Sequence, residues 1–204
     1  MRDLDKALAD ITAMRAQMAR GTEFQGYGPI TVAATGVLAL LAAGVQAILI
    51  PEPTAAVFGY LALWVATAAV SVILIAIEMV ARSQRLHTGL ADEMIHGATE
   101  QFIPAGVAGT LLTVVLYRVG SDVLWMLPGL WQIIFSLGFL ASCRVLPRLM
   151  FAVGIWYLAA GLASLAFANA EQSFSPWAMA LPFGLGQFMM AAILYRSGKN
   201  HVES

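Results

Sequence analysis

Residues 30–50 read ITVAATGVLALLAAGVQAILI, with Ile30 first and Ile50 last: 21 consecutive residues without a charge. As an α-helix this stretch is about 31 Å long, the thickness of the hydrocarbon core of a bilayer. Pro51-Glu52-Pro53 follows at once, and two prolines cannot continue a helix. The run begins too deep in the chain, and is too long, for the short apolar core of a cleaved secretory signal. It reads as a retained transmembrane helix, because lipid leaves the backbone no partner but itself.

Five further apolar runs follow, at 56–80, 102–119, 123–143, 149–168 and 177–195. The third is the shortest, and it can start earlier, near Ile95, with Glu100 and Gln101 at the headgroups. Gly120-Ser121-Asp122 separates spans three and four, and residues 169–176 separate spans five and six. There Ser175 suits an N-cap and Pro176 the first helical position. Composition agrees: the chain is 60% hydrophobic and 11% charged, whereas a soluble domain carries about 25% charge. The expected fold class is all-α, a polytopic bundle of six transmembrane helices plus an N-terminal amphipathic helix. Net charge of −1 gives no reason to expect nucleic acid. Cys143 is the single cysteine and has no intramolecular partner for a disulfide.

The basic residues give the bundle a direction. Arg2, Lys6, Arg15, Arg20, Arg82, Arg85, Arg144, Arg148, Arg196 and Lys199 fall on one side of six alternating spans, and Arg118 alone falls on the other. Lys and Arg are retained in the cytoplasm, so both termini are expected there. The domain reading is a cytoplasmic helix and linker over 1–28, a six-helix membrane domain over 29–196 and a cytoplasmic tail over 197–204.

Leu4, Ala7, Leu8, Ile11, Met14 and Met18 recur at helical spacing and predict an amphipathic helix ahead of the first span. Residues 1–20 are thus a contact for the membrane surface, for the protein's own loops or for a cytoplasmic protein partner. The pattern Ile11-x-x-Met14-Arg15-x-x-Met18-x-Arg20, then Phe24, a glycine-containing turn and an Ala/Gly-rich span, resembles the start of a family of small bacterial six-span inner-membrane proteins. Ser175-Pro176-Trp177 through Leu181-Pro182-Phe183-Gly184-Leu185-Gly186-Gln187 resembles that family's last span. The resemblance implies a multi-pass protein of the bacterial cytoplasmic (inner) membrane in a regulatory context, and no particular chemistry.

Polar groups within spans are costly and draw attention to function. Gln46 lies near the outer end of span one. Gln132 and Gln187 lie nine or ten residues into spans four and six. These two spans run in the same direction, so both amides are expected near the midplane at similar depth. Each follows a helix irregularity, Pro128-Gly129 or Pro182 through Gly186, and broken midplane helices bind solutes in many transporters. The three glutamines are the candidate polar pocket, with interhelical amide bonding as the structural alternative. Glu78 precedes Arg82 by four residues, the favourable order for a helical ion pair, with proton coupling as the functional alternative. Stripes at Gly36, Ala39, Ala43 and Ala47, at Gly106 and Gly109, and at Gly154, Gly161 and Ala168 predict close helix packing, or a homo-oligomer face where one stays exposed.

Residues 81–101 read as the longest cytoplasmic loop, a polar helix on the membrane surface. Glu93, His96 and Glu100 share one helical face and are weak metal ligands: a second Glu-x-x-His is missing and no span carries a histidine. No cofactor is expected, and no catalytic constellation appears. The function expected is that of a non-enzymatic accessory, regulatory or signal-coupling protein, with a small-solute transporter or permease with a polar midplane pocket and a metal- or haem-linked redox accessory protein as the alternatives.

Overall fold

The computed structural model describes the backbone of residues 28–86, 89–142, 149–167 and 169–200, and side chains at 28–81, 84, 103–142, 149–167, 169 and 172–197. The chain is all-helical, without a strand among the described residues. In chain order the helices are α1 (Pro29–Leu49), α2 (Val57–Leu86), α3 (Gly89–Val119), a 3-10 turn (Ser121–Met126), α4 (Leu127–Ser142), α5 (Met150–Phe167), the short α6 (Ala170–Ser173) and α7 (Pro176–Asn200). The amphipathic helix expected over the first 20 residues lies outside the described residues, as do Cys143, Arg144 and Arg148.

Five segments are long and apolar enough to cross a membrane: α1, α2 over Val57–Ala81, Ser121–Ser142, α5, and α7 over Pro176–Ser197. The apolar part of α3, Ile103–Val119, is shorter. The polar loop expected over 81–101 is not a separate surface helix. α2 runs on to Leu86, and α3 starts at Gly89 and continues unbroken into Ile103–Val119. At 31 residues α3 is about 46 Å long, well beyond a bilayer core. Pro104 sits inside it rather than in its first turn. Gly120 makes the break that follows: its φ of 144° is one that side chains resist.

Successive helices pack side by side, and α7 returns to close on α1, its most extensive contact. Contact between α2 and α3 is slight, so the ring is most open there. The outside is strongly apolar. Leu41, Ile48, Phe58, Val72, Ile73, Ile77, Leu111, Phe151 and Leu162 are all exposed. So large an apolar surface is unsuited to water and is compatible with a multi-pass membrane protein.

Two kinds of seam hold the ring together. The first is built on glycine. A Cβ on Gly129 would lie 2.9 Å from the Gly161 carbonyl oxygen, and one on Gly161 would lie 2.7 Å from that of Gly129. The α4 and α5 backbones therefore touch. Gly154 likewise admits Leu140. Between α1 and α7, Gly36 sits against Gln187 and the Gly184 carbonyl. With Gln46 bonded to the Phe174 carbonyl, this register makes α1 and α7 antiparallel. Gly106 makes no such approach, and Ala47 is exposed, so not every small residue in the stripes is spent on packing.

The second kind of seam is an indole hydrogen bond. Trp64 of α2 donates to Gln46 of α1 at 2.7 Å. Trp131 of α4 donates to Thr113 of α3 at 2.8 Å, and Trp156 of α5 to the Pro182 carbonyl of α7 at 2.9 Å. Indole combines a large apolar ring with one N–H that must find an acceptor in lipid.

Candidate functional site

The hydroxyls of the apolar helices show how a polar group is normally accommodated here. Thr35, Thr67, Ser71, Thr110, Thr113 and Ser142 each donate back to a carbonyl of their own helix, three or four residues earlier. Such back-bonding is the local solution for Ser and Thr in lipid. Ser136 of α4 is fully buried and makes no hydrogen bond with the protein.

Ser136 lies one turn after Gln132 on the same face of α4. Gln132 is also fully buried. Its Nε2 donates to the Ala178 carbonyl of α7 at 3.0 Å and lies 3.9 Å from the Met179 sulfur. The choice of acceptor has a cause in the sequence. In a regular helix the Ala178 carbonyl accepts the N–H of residue 182, but residue 182 is proline and has none. Gln132 supplies the missing donor from the neighbouring helix. Its Oε1 is left without a partner in the protein.

Further along α7, Tyr157 of α5 donates to the Phe183 carbonyl at 3.4 Å, a long bond. The Gln187 amide lies beside the same hydroxyl. The Oε1 of Gln187 is buried and also lacks a partner. Tyr157 is fully buried and packs edge-on against Phe135 at 4.9 Å and against Phe183 at 5.3 Å, with Phe139 at 6.0 Å. These rings join the Ser136 turn of α4 to the Gln187 turn of α7.

The run of Gly184 and Gly186 after Pro182 is therefore not an unwound segment. α7 is continuous through it. Gly184 faces Leu40 and the Gly36 carbonyl of α1, while Gly186 faces the Tyr157 ring, which leaves no room for a side chain. Both glycines accept neighbours on opposite sides of one helix. Gln132 and Gln187 are not side by side either. Gln132 bonds at the level of Ala178, nine residues before Gln187, or about 13 Å along the axis. What joins them is a row of contacts: Gln132 and Ser136 one helical turn apart on α4, then Tyr157, with Phe135 and Phe139 packed on its ring and Gln187 beside its hydroxyl.

Gln46 stands apart from this row. Its Nε2 donates to the Phe174 carbonyl at 2.7 Å and its Oε1 accepts from Trp64. The bond to Phe174 holds the α5–α7 connection inward, where Ser173 and Phe174 are buried and Phe174 meets Tyr60 edge-on at 4.9 Å. Asn169 and Gln172 brace that connection by reciprocal side-chain bonds to each other's N–H. The Tyr60 and Ser173 hydroxyls, both buried, lack partners.

Glu78 accepts a hydrogen bond from the Gly28 N–H at 3.2 Å. This places a carboxylate of α2 at the N-terminus of α1, where the helix dipole and the unpaired N–H groups favour negative charge. The side chain of Arg82, its expected ion-pair partner, lies outside the described residues, and so do those of Glu93, His96 and Glu100.

Sequence reasoning missed Ser136, Tyr157 and Trp156. Ser136 carried a signal, since Gln-x-x-x-Ser is a polar pair at helical spacing in an otherwise apolar run. The two aromatic residues carried none, because only packing shows where a ring's polar tip points.

The fold and its polar row define an all-helical bundle with a buried, uncharged polar seam between α4, α5 and α7. No family model, no curated protein and no solved structure matches this chain.

Proposed function

We propose that this protein is a six-span membrane protein, with both termini cytoplasmic, that binds a small solute inside the bundle as a carrier or permease does. One observation carries the reading. Gln132 Oε1, Ser136 Oγ and Gln187 Oε1 are buried without protein partners along one seam, although six other hydroxyls in the bundle show how readily such groups are satisfied locally. An unpaired polar group in a low-dielectric interior costs about 1–3 kcal/mol, and in membranes such a cost usually marks a pathway or a ligand. α3, long enough to cross and leave the bilayer, supports the sixth span. Reconstituted into liposomes, the protein should accelerate solute entry above that of empty vesicles, and Gln132→Leu should remove the acceleration. Equal rates with and without protein would end this reading. Alkaline phosphatase fused after Ser121 or Gln172 should be active if the proposed orientation holds, and silent otherwise.

A second, regulatory reading is favoured by the Glu78 contact. The point where residues 1–27 join the bundle is bonded to α2, so a partner pulling on the N-terminal segment would act directly on the α1–α2 pair. Deletion of residues 1–20 should then abolish recovery of a partner from mild detergent. Recovery undiminished by the deletion would dismiss the reading.

A further inference from the structure

Resting on the reading of the seam as a solute site, we infer that its ligand is a small neutral molecule that presents N–H or O–H donors, such as an amide, urea or short polyol, and not an ion. The available atoms decide this. Amide oxygens are acceptors only, and two of them, Gln132 Oε1 and Gln187 Oε1, are unpaired. Three donors of the seam are held by the backbone of α7, Gln132 Nε2 by Ala178, Trp156 Nε1 by Pro182 and the Tyr157 hydroxyl by Phe183, and the Gln187 amide N–H lies against the Tyr157 hydroxyl. Of the three unpaired groups in the seam, Ser136 alone can both give and take. The unmet need of the seam is thus for hydrogens, and a ligand that supplies them fits best.

Ions fit poorly. An anion needs donors or positive charge. The sequences of α1, α4 and α5 contain no charged residue, and the first on α7 is Arg196, nine residues beyond Gln187. A hard cation such as calcium or magnesium takes about six or more oxygens around one point. Here, among the described residues, only three free oxygens exist in the seam, Gln132 and Ser136 a helical turn apart on α4, about 6 Å, and Gln187 on another helix. A desolvated charge without a compensating partner costs far more than a desolvated amide. A neutral molecule with two or more donors can instead bridge adjacent oxygens of the row, while the rings of Phe135, Phe139 and Phe183 cover its apolar part.

The test uses the full chain in lipid nanodiscs, with thermal unfolding followed at millimolar acetamide, urea, glycerol, tetramethylurea, potassium acetate or methylammonium chloride. Tetramethylurea keeps the carbonyl of urea but has no N–H. Ser136→Ala removes an unpaired oxygen and breaks no bond to the protein, and Gln187→Met removes an unpaired oxygen at the loss of one contact with Tyr157 while keeping the side-chain length, so both variants should fold. The expected result is a rise in unfolding temperature of about 3 °C with acetamide, urea or glycerol. Tetramethylurea and both salts should give none, and each variant should lose the rise. A rise with either salt, or an equal rise with tetramethylurea, lost in the same variants, overturns the ligand class while leaving the seam as the site. A rise that survives in both variants, or no rise with any probe, overturns the seam itself and the class with it.

Discussion

Replacing Gln46 by leucine is the sharpest test of how the bundle is closed. The side chain is fully buried and both ends of its amide are used, at 2.7 Å to the Phe174 carbonyl and 2.7 Å from the Trp64 indole. Leucine is close in volume, so packing changes little. Two hydrogen bonds disappear, and two polar groups, the indole N–H and the carbonyl, stay behind in an apolar setting. Interhelical hydrogen bonds in membranes are worth about 0.6 kcal/mol on average, and up to about 1.7. Each stranded group adds about 1–3 kcal/mol unless it relaxes to a new partner. With partial relaxation, Gln46→Leu should destabilise the protein by about 2–4 kcal/mol. For a chain of 204 residues that is a fall of about 5–12 °C in unfolding temperature. Trp64→Phe removes one of the two bonds, and in the double variant its loss should count only once. The coupling energy between the two sites should be about 1 kcal/mol. Hydrogen exchange at residues 172–175 should rise in Gln46→Leu and hardly at all in Trp64→Phe, because only the first frees the Phe174 carbonyl. Strict additivity in lipid nanodiscs, or an unfolding temperature within a degree of the parent for Gln46→Leu, would refute this account of the closure.

Three other outcomes follow from the seams. Gly161→Ala puts a methyl 2.7 Å from the Gly129 carbonyl oxygen and 2.8 Å from the Ile133 side chain; the two backbones must separate, at about 1–3 kcal/mol, visible as a lower unfolding temperature, whereas Gly106→Ala meets open space and should be neutral. Gln132→Leu should cost about 1–2 kcal/mol in the parent but less in a Pro182→Ala background, because the new N–H at residue 182 satisfies the Ala178 carbonyl in its place; an equal cost in both backgrounds contradicts the proposed pairing. Glu78→Ala should destabilise the start of α1 by about 1 kcal/mol, and Glu78→Gln should restore part of that through its amide oxygen, as read by hydrogen exchange at Gly28 and the following residues. If Gln is no better than Ala, the hydrogen bond to Gly28 is not what Glu78 contributes.

Much of the helix map was legible in the sequence. Runs such as 30–50 and 149–168 are too long and too apolar for anything but helices in lipid, and proline and glycine punctuate them. The error over 81–101 has a physical source: polarity marks where a chain leaves the bilayer, not where a helix stops, so α3 carries its polar first half and its apolar second half in one rod. The similar-depth reading of Gln132 and Gln187 failed for a related reason. Counting residues from each span's start assumes straight helices in level register. The register of α7 follows its packing on α1, its most extensive contact, and that register brings the carbonyl left unpaired by Pro182 to Gln132.

The sequence by itself determined the fold class, because backbone hydrogen bonding in an apolar solvent allows a chain of this composition one regular form. It also singled out Gln46, Gln132 and Gln187 as the amides with something to explain. Only the tertiary structure separated their roles. Gln46 spends both ends of its amide on closure, Gln132 spends one end on a proline's missing bond, and Ser136 and Gln187 hold oxygens that no protein group meets. Those differences depend on which carbonyl of which neighbouring helix comes within about 3 Å, and helix packing alone decides that distance.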